Sequence, residues 1–117
     1  MLIRFKKSFE KIAMGLLSFM PEAKDVKKLQ DIIKEYENNE DWHLYLWKEG
    51  EDIIGAAGVR VNEREAIIQH VSVNPSHRNS GIGRKMVGKV RDKYQGSYSV
   101  CATEETEAFI EKCNRTK

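Results

Sequence analysis

The chain has 117 residues, 32% of them charged and 40% hydrophobic, and its 20 Lys and Arg against 18 Asp and Glu leave a formal charge of +2. That composition describes one globular domain over residues 1–117 and excludes a disordered chain, a fibre or a disulfide scaffold. The length excludes a two-halved dinucleotide fold or an eightfold barrel, which need roughly 200 residues or more.

Leu2 to Lys6 alternates apolar and basic residues and reads as a short strand leading into a helix with Ser8 as its N-cap. Phe9, Ile12, Ala13, Leu16, Phe19 and Met20 fall on one helical face, and Pro21 ends the run. Arg4, Lys6, Lys7 and Lys11 ahead of an apolar stretch imitate a secretion signal, but Glu10, Gly15 and Ser18 interrupt it and the helical spacing accounts for it better. No stretch approaches the ~18 apolar residues of a membrane span, so no membrane partner is expected. Val26, Leu29, Ile33 and Tyr36 mark a second helix from about Glu22 to Glu37, stopped by Asn38 and Asn39.

The period then changes to two. Leu44 and Leu46 alternate between Trp42 and Trp47, which flank a strand as packing or rim residues, and Glu49-Gly50-Glu51-Asp52 makes a hairpin turn. Ile53 to Val61 and Ala66 to Val73 follow as two further strands of an antiparallel meander. A third helix opens at Gly81-Ile82-Gly83, carries Ile82, Met86, Val87, Val90 and Tyr94 inward, and ends at Gly96. Tyr98 to Ala102 is a last strand, and Thr103 caps a final helix with Ala108, Phe109 and Cys113 on one face. The strand–helix–strand unit from Ala66 to Ala102 needs a crossover, so its two strands run parallel. Cys101 and Cys113 have no CxxC spacing and no His at ligand distance in sequence, which predicts free thiols, a cytoplasmic location and no metal.

The informative stretch runs from Ile68 to Lys85: strand, proline turn, glycine-bearing loop, helix. A helix N-terminus offers unpaired N–H groups and about half a positive charge, and Gly81 and Gly83 remove side chains that would hold an anion off. Arg78, Arg84 and Lys85 add charge suited to a ligand with several phosphates. A Walker loop is absent, and a GxGxxG fingerprint fails at Met86. What remains is R-x-x-G-x-G after a V-x-V-x-P strand end. This resembles the acyl-coenzyme A signature of the GNAT superfamily of N-acetyltransferases, and the opening residues and Trp47 to Gly83 resemble the small acetyltransferases of Bacillus-type riboflavin operons.

The resemblance implies a mixed α/β (α+β) fold: a largely antiparallel sheet of about five to six strands with helices on both faces and a reduced or absent C-terminal hairpin, since the chain stops at Asn114 to Lys117. It implies that Val71, Ser72 and Val73 offer backbone groups to the pantetheine arm of acetyl-CoA, and that Arg78, Asn79, Ser80, Gly81, Ile82, Gly83 and Arg84 cradle its pyrophosphate. An amine of a small molecule or protein then takes the acetyl group, with an N–H near Val71 polarising the carbonyl. Many relatives carry a Tyr as acid in the final helix, a place held here by Ile110, and some a Glu as base at the position of Ile67. Glu65, two residues earlier on the same strand face, and His70 are therefore the candidate bases, and Tyr98 or Tyr94 the candidate acid. An acceptor half without the hairpin is open, completed by a partner subunit as in a homodimer, or lost by truncation. Two other readings stay open: a degenerate acyl-CoA-binding scaffold, and a nucleic-acid module using the six Lys and Arg between Arg78 and Lys93. The second lacks aromatic stacking residues among those charges, so no nucleic-acid partner is expected.

Overall fold

The computed structural model describes residues 1–20, 25–77 and 81–115, the last five in backbone only. Five strands, β1 (Leu2–Arg4), β2 (Trp42–Glu49), β3 (Asp52–Val61), β4 (Glu65–Val73) and β5 (Ser99–Ala102), form one sheet in chain order. Neighbours are antiparallel except β4 and β5, which are parallel because a helix carries the chain between them. Four helices complete the fold: α1 (Glu10–Leu17), α2 (Val26–Asn38), α3 (Ile82–Tyr94) and α4 (Glu104–Arg115).

Strand alternation divides the core into two. Leu44, Leu46 and Ala56 face α1 and α2, meeting Ala13, Leu17, Leu29, Ile33 and Tyr36. Tyr45, Ala57, Val59, Ile68, Val71 and Val73 face α3 and α4, meeting Ile82, Met86, Val90 and Ile110. The radius of gyration, 13.2 Å, is that of a single core this long.

Several boundaries differ from the sequence expectation. Ser8 lies inside a 3-10 turn, Lys7–Phe9, and caps nothing, because α1 begins only at Glu10. That helix ends at Leu17, before Pro21: Ser18 Oγ donates to Gly15 O, and Phe19 N and Met20 N close tight turns onto Leu16 O and Leu17 O. Leu17 is buried in place of Ile12 and Phe19, which are 45% and 42% exposed. The second helix begins at Val26 rather than Glu22, because Asp25 accepts from Lys27 N and caps it. Pro21 and Glu22 lie outside the described residues. Trp42 and Trp47 sit within β2 rather than beside it. Cys101 is half-buried and its thiol is free.

Candidate active site

The site begins with a register shift. β4 pairs with β3 as Ile68↔Val59 and then His70↔Gly58, so Gln69 is one residue too many and forms a bulge. The parallel pairing with β5 stops at the same place, its last pair being Ile68↔Ala102. Ile68 O is taken there by Thr103 N at 3.3 Å and Thr106 Oγ1 at 2.6 Å, so the start of α4 closes the ladder. Thr106 is buried, and it and Thr103 cap the helix reciprocally, each backbone N–H meeting the other's hydroxyl. Beyond Ile68 the two strands part into a fork.

The bulge decides what β4 offers that fork. Asn74 N donates to Ile54 O at 2.8 Å, and bonded pairs alternate along an antiparallel ladder. Ser72 and His70 are therefore bonded to Ala56 and Gly58, while Val71 and Val73 aim N–H and C=O at the edge facing away from β3. Ser72 itself is turned from that edge: its backbone serves β3 and its buried hydroxyl donates to Leu16 O at the end of α1. Past Val73 a 3-10 turn, Pro75–His77, leads toward α3. Gly81, the N-cap of α3, has φ 81°, a left-handed conformation that costs an L-residue about 1–2 kcal/mol. Ile82 and Gly83 follow, buried, with Arg84 exposed in the first turn, so the leading N–H groups of the helix lack intrahelical partners. Arg78, Asn79 and Ser80 lie outside the described residues.

A polar cluster sits on the α2 side of the bulge. A bulge turns its two residues to one face, and Gln69 and His70 both reach the hydroxyl of Tyr36, at 3.1 Å from Gln69 Nε2 and 2.5 Å from His70 Nδ1. Trp42 closes the group, its ring 5.1 Å from that of Tyr36 and 6.2 Å from that of His70. Gly58 makes room: a Cβ there would lie 2.5 Å from Tyr36 Cζ and closer still to the hydroxyl. Burial lowers the His70 pKa to about 4, helped by Lys28 and opposed by Glu105, and burial raises that of Tyr36.

The remaining sequence candidates lie elsewhere. Glu65 starts β4, three residues and about 10 Å before the fork, held by Asn62 Nδ2 at 3.3 Å and facing Cys101 Sγ at 3.6 Å. Tyr94 ends α3, about 18 Å along the helix from its first residue. There it joins a hydrogen-bond chain: Tyr45 OH lies 2.7 Å from Tyr94 OH, which lies 2.6 Å from His43 Nδ1, while His43 Nε2 meets Glu40 O at 2.9 Å. Tyr98 packs on Tyr94 at that same far end, its N–H on Tyr94 O. The structure brings His70, Val71 and Val73 together at the fork and leaves Glu65, Tyr94 and Tyr98 at the opposite end of the strands. Ile110 is buried in the core. Tyr36, Gln69, Gly58 and Thr106 were not singled out from sequence as site residues. The glycine inside an apolar strand was the available signal, since it marks a bulge or close approach.

The model of the acetyltransferase (GNAT) family matches residues 9–113. The chain belongs to that family. It is an acetyltransferase whose donor is acetyl-CoA. It is 62% identical over 114 residues to an uncharacterized N-acetyltransferase in the lysA 3′ region of Bacillus methanolicus, covering 97% of this chain and 94% of that protein. Among solved structures, an aminoglycoside N-acetyltransferase in complex with CoA has the same fold, with TM-score 0.74 and 14% identity over 99% of this chain and 85% of that one. A GNAT family acetyltransferase from Elizabethkingia anophelis with acetyl-CoA bound gives TM-score 0.72 and 18% identity, covering 96% and 72% of the two chains. One from Staphylococcus aureus gives 0.70 and 19%, covering 87% and 83%.

The residues present fit the donor. A strand edge whose amide pairs at Val71 and Val73 are not bonded to β3 suits an extended arm carrying peptide-like groups, and the left-handed Gly81 opens a helix N-terminus of the kind that binds phosphate. Among the described residues no group of His, Cys, Asp and Glu could hold a metal ion, and no helix is long and apolar enough to cross a membrane.

Proposed function

We propose that the chain transfers the acetyl group of acetyl-CoA to a primary amine at the fork between β4 and β5. The observation that carries this reading is the coincidence of the Gln69 bulge with the end of β4–β5 pairing, which frees Val71 and Val73 on a line toward the N-terminus of α3. When bound, acetyl-CoA supplies a thioester whose acetyl carbon passes to the amine nitrogen as the carbon–sulfur bond breaks, the proton lost by the amine ending on the thiol. Val71 and Val73 would align the donor along the edge, Val71 N–H would polarise the acyl oxygen, and the leading amides of α3 with Arg84 would hold the phosphates, a role that Arg78, Asn79 and Ser80, outside the described residues, would share.

Glu65, the carboxylate candidate from sequence, lies about 10 Å before the fork, and the half-buried His70 has too low a pKa to hold a proton at neutral pH. The amine therefore arrives unprotonated or sheds its proton to water. On this reading the acceptor face lies where Trp42, Tyr36 and Gln69 surround His70 and Glu105, from the acidic first turn of α4 with Glu104 and Glu107, acts on the same imidazole. Negative charge there favours amines carried by cationic molecules. The resemblance to riboflavin-operon acetyltransferases puts amines of that pathway first in the acceptor panel, followed by polyamines, amine antibiotics and protein N-termini. The free Cys101 thiol suits the reducing cytoplasm, where this reading places the enzyme.

The test is turnover of acetyl-CoA across that amine panel, followed by thiol release and by mass of the acetylated amine. Acetylation of at least one primary amine is expected. Tight acetyl-CoA binding without transfer to any amine would replace this reading with a non-catalytic acyl-CoA-binding protein.

A further inference from the structure

We propose that Tyr36 is a positioning residue that fixes His70 as a neutral Nε2–H hydrogen-bond donor at the fork, so that His70 acts on the reactants as an electrophile and not as the base. The hydrogen bonds assign the protons. Gln69 Nε2 is a donor only, so Tyr36 oxygen accepts from it at 3.1 Å. The hydroxyl's own proton then has one acceptor within reach, His70 Nδ1 at 2.5 Å. With Nδ1 accepting, the neutral ring carries its proton on Nε2. Reversing that bond would leave the hydroxyl proton of a residue 7% exposed with no acceptor, a loss larger than the tautomer preference of an imidazole.

Nε2 has no hydrogen-bond partner among the described residues, yet it is not among the buried side-chain atoms left without one. It is therefore at least partly accessible rather than sealed in the core. The imidazole follows the bulge residue directly, two positions beyond the last β4–β5 pair. It feels Lys28 of α2 on one side and Glu105 of α4 on the other, and it stands against Trp42 of β2. These surroundings place it beside the gap between β4 and the start of α4. On the reading of that gap as the site of acyl transfer, which this inference assumes, Nε2–H is aimed at the negative charge that develops on oxygen or sulfur. No proton changes hands at His70. A proton passed outward from Nε2 would have to be replaced from Tyr36, whose buried phenol resists ionisation.

The geometry is over-determined in a way that a packing accident is not. Tyr36 can lie across the bulge only because Gly58 has no side chain, and the bulge is what turns Gln69 to the same hydroxyl as His70.

Two measurements test the proposal. Nitrogen-15 NMR of the free full-length protein should show His70 neutral from pH 5.5 to 8 with its proton on Nε2, and Tyr36→Phe should give mixed tautomers titrating nearer the ordinary value of about 6.5. Turnover with an accepted amine should then fall about 100-fold in His70→Ala, and by less than about 10-fold in His70→Gln, whose amide N–H stands near the place of Nε2–H. A proton on Nδ1, an imidazolium at neutral pH, or a Gln variant as inactive as Ala would overturn the proposal. Calorimetric titration of wild type and both variants with acetyl-CoA runs alongside. Failure of the wild type to bind would overturn the reading of the fork itself, a result separable from the tautomer because the latter is read without ligand.

Discussion

Gly58→Ala converts the close approach of Tyr36 into a measurable cost. A Cβ at Gly58 would lie 2.5 Å from Tyr36 Cζ and 3.1 Å from Cε1, where ordinary contacts begin near 3.4 Å. Strand β3 is held by β2 and β4 on both sides and cannot retreat, so the phenol must withdraw by about 1 Å or more. Overpacking of this kind costs roughly 1–3 kcal/mol, and loss of the hydrogen bonds to His70 and Gln69 adds about 1 kcal/mol each. The sum, about 3–5 kcal/mol, corresponds to a Tm lower by roughly 10–20 °C for a domain of this size. Urea unfolding of Gly58→Ala, alone and combined with Tyr36→Ala, measures it. In the Tyr36→Ala background the three closest contacts of the added methyl are gone, and it should cost less than about 1 kcal/mol. A single variant within about 0.5 kcal/mol of wild type, or an equal cost in both backgrounds, would refute the packing argument.

Further expectations follow from the same geometry. The pH profile of kcat/KM should rise with ionisation of the amine substrate and show no limb between pH 6 and 7 from His70, whose pKa lies at about 4; a limb there that vanishes in His70→Gln would contradict the assignment. Tyr94→Phe strands the hydroxyl of buried Tyr45 and should cost about 1–3 kcal/mol in urea while leaving kcat within twofold, and a kcat lost without a stability change would return Tyr94 to the list of acids. Glu37 in α2 has its carboxyl pKa raised, first by its hydrogen bond with Glu10 of α1 and then by burial. A raised folded-state value gives stability that is complete below the unfolded pKa and lost as pH rises through the folded one. Glu37→Gln should therefore raise Tm at pH 7.5 and lose that advantage toward pH 4, and a variant less stable at pH 7.5 would show that the carboxylate is needed there. The Cys101 thiol pKa is raised by burial and then by the Glu65 carboxylate, so Glu65→Gln should speed its alkylation at pH 8, and no change would remove Glu65 as a cause.

The elements that form the proposed donor half were legible because they are written in local chemistry. Gly81 acts through a left-handed conformation that glycine favours and Pro75 through its fixed φ, and the Val71–Val73 alternation follows from a strand period of two. The crossover rule placed β4 beside β5 for the same reason. The acceptor half was not legible, because it depends on a one-residue register shift. Gln69 carries no sign of being a bulge, and without the bulge Gln69 and His70 would face opposite sides of the sheet. Tyr36 read as one more apolar position on a helical stripe, and only its meeting with Gly58, 22 residues away, shows its hydroxyl crossing β3. Glu65 was drawn in by sharing a strand face with Ile67, and Tyr98 as a substitute for the Tyr that Ile110 replaces, yet the strand lengths carry both to the far end. The first helix misled for a related reason: Pro21 was read as its stop, whereas Ser18 and two tight turns end it sooner.

The central claim is that the free edge of β4 and the N-terminus of α3 together hold acetyl-CoA. Backbone amide NMR during an acetyl-CoA titration tests it most directly. The account predicts the largest shifts at Val71, Val73 and Gly81 to Arg84, little change at Tyr94 to Ser99, and, at about 100 times the dissociation constant, stabilisation by about 2.7 kcal/mol. Saturable binding that moved the Tyr94 to Ser99 amides and left Val71, Val73 and Gly81 in place would contradict it.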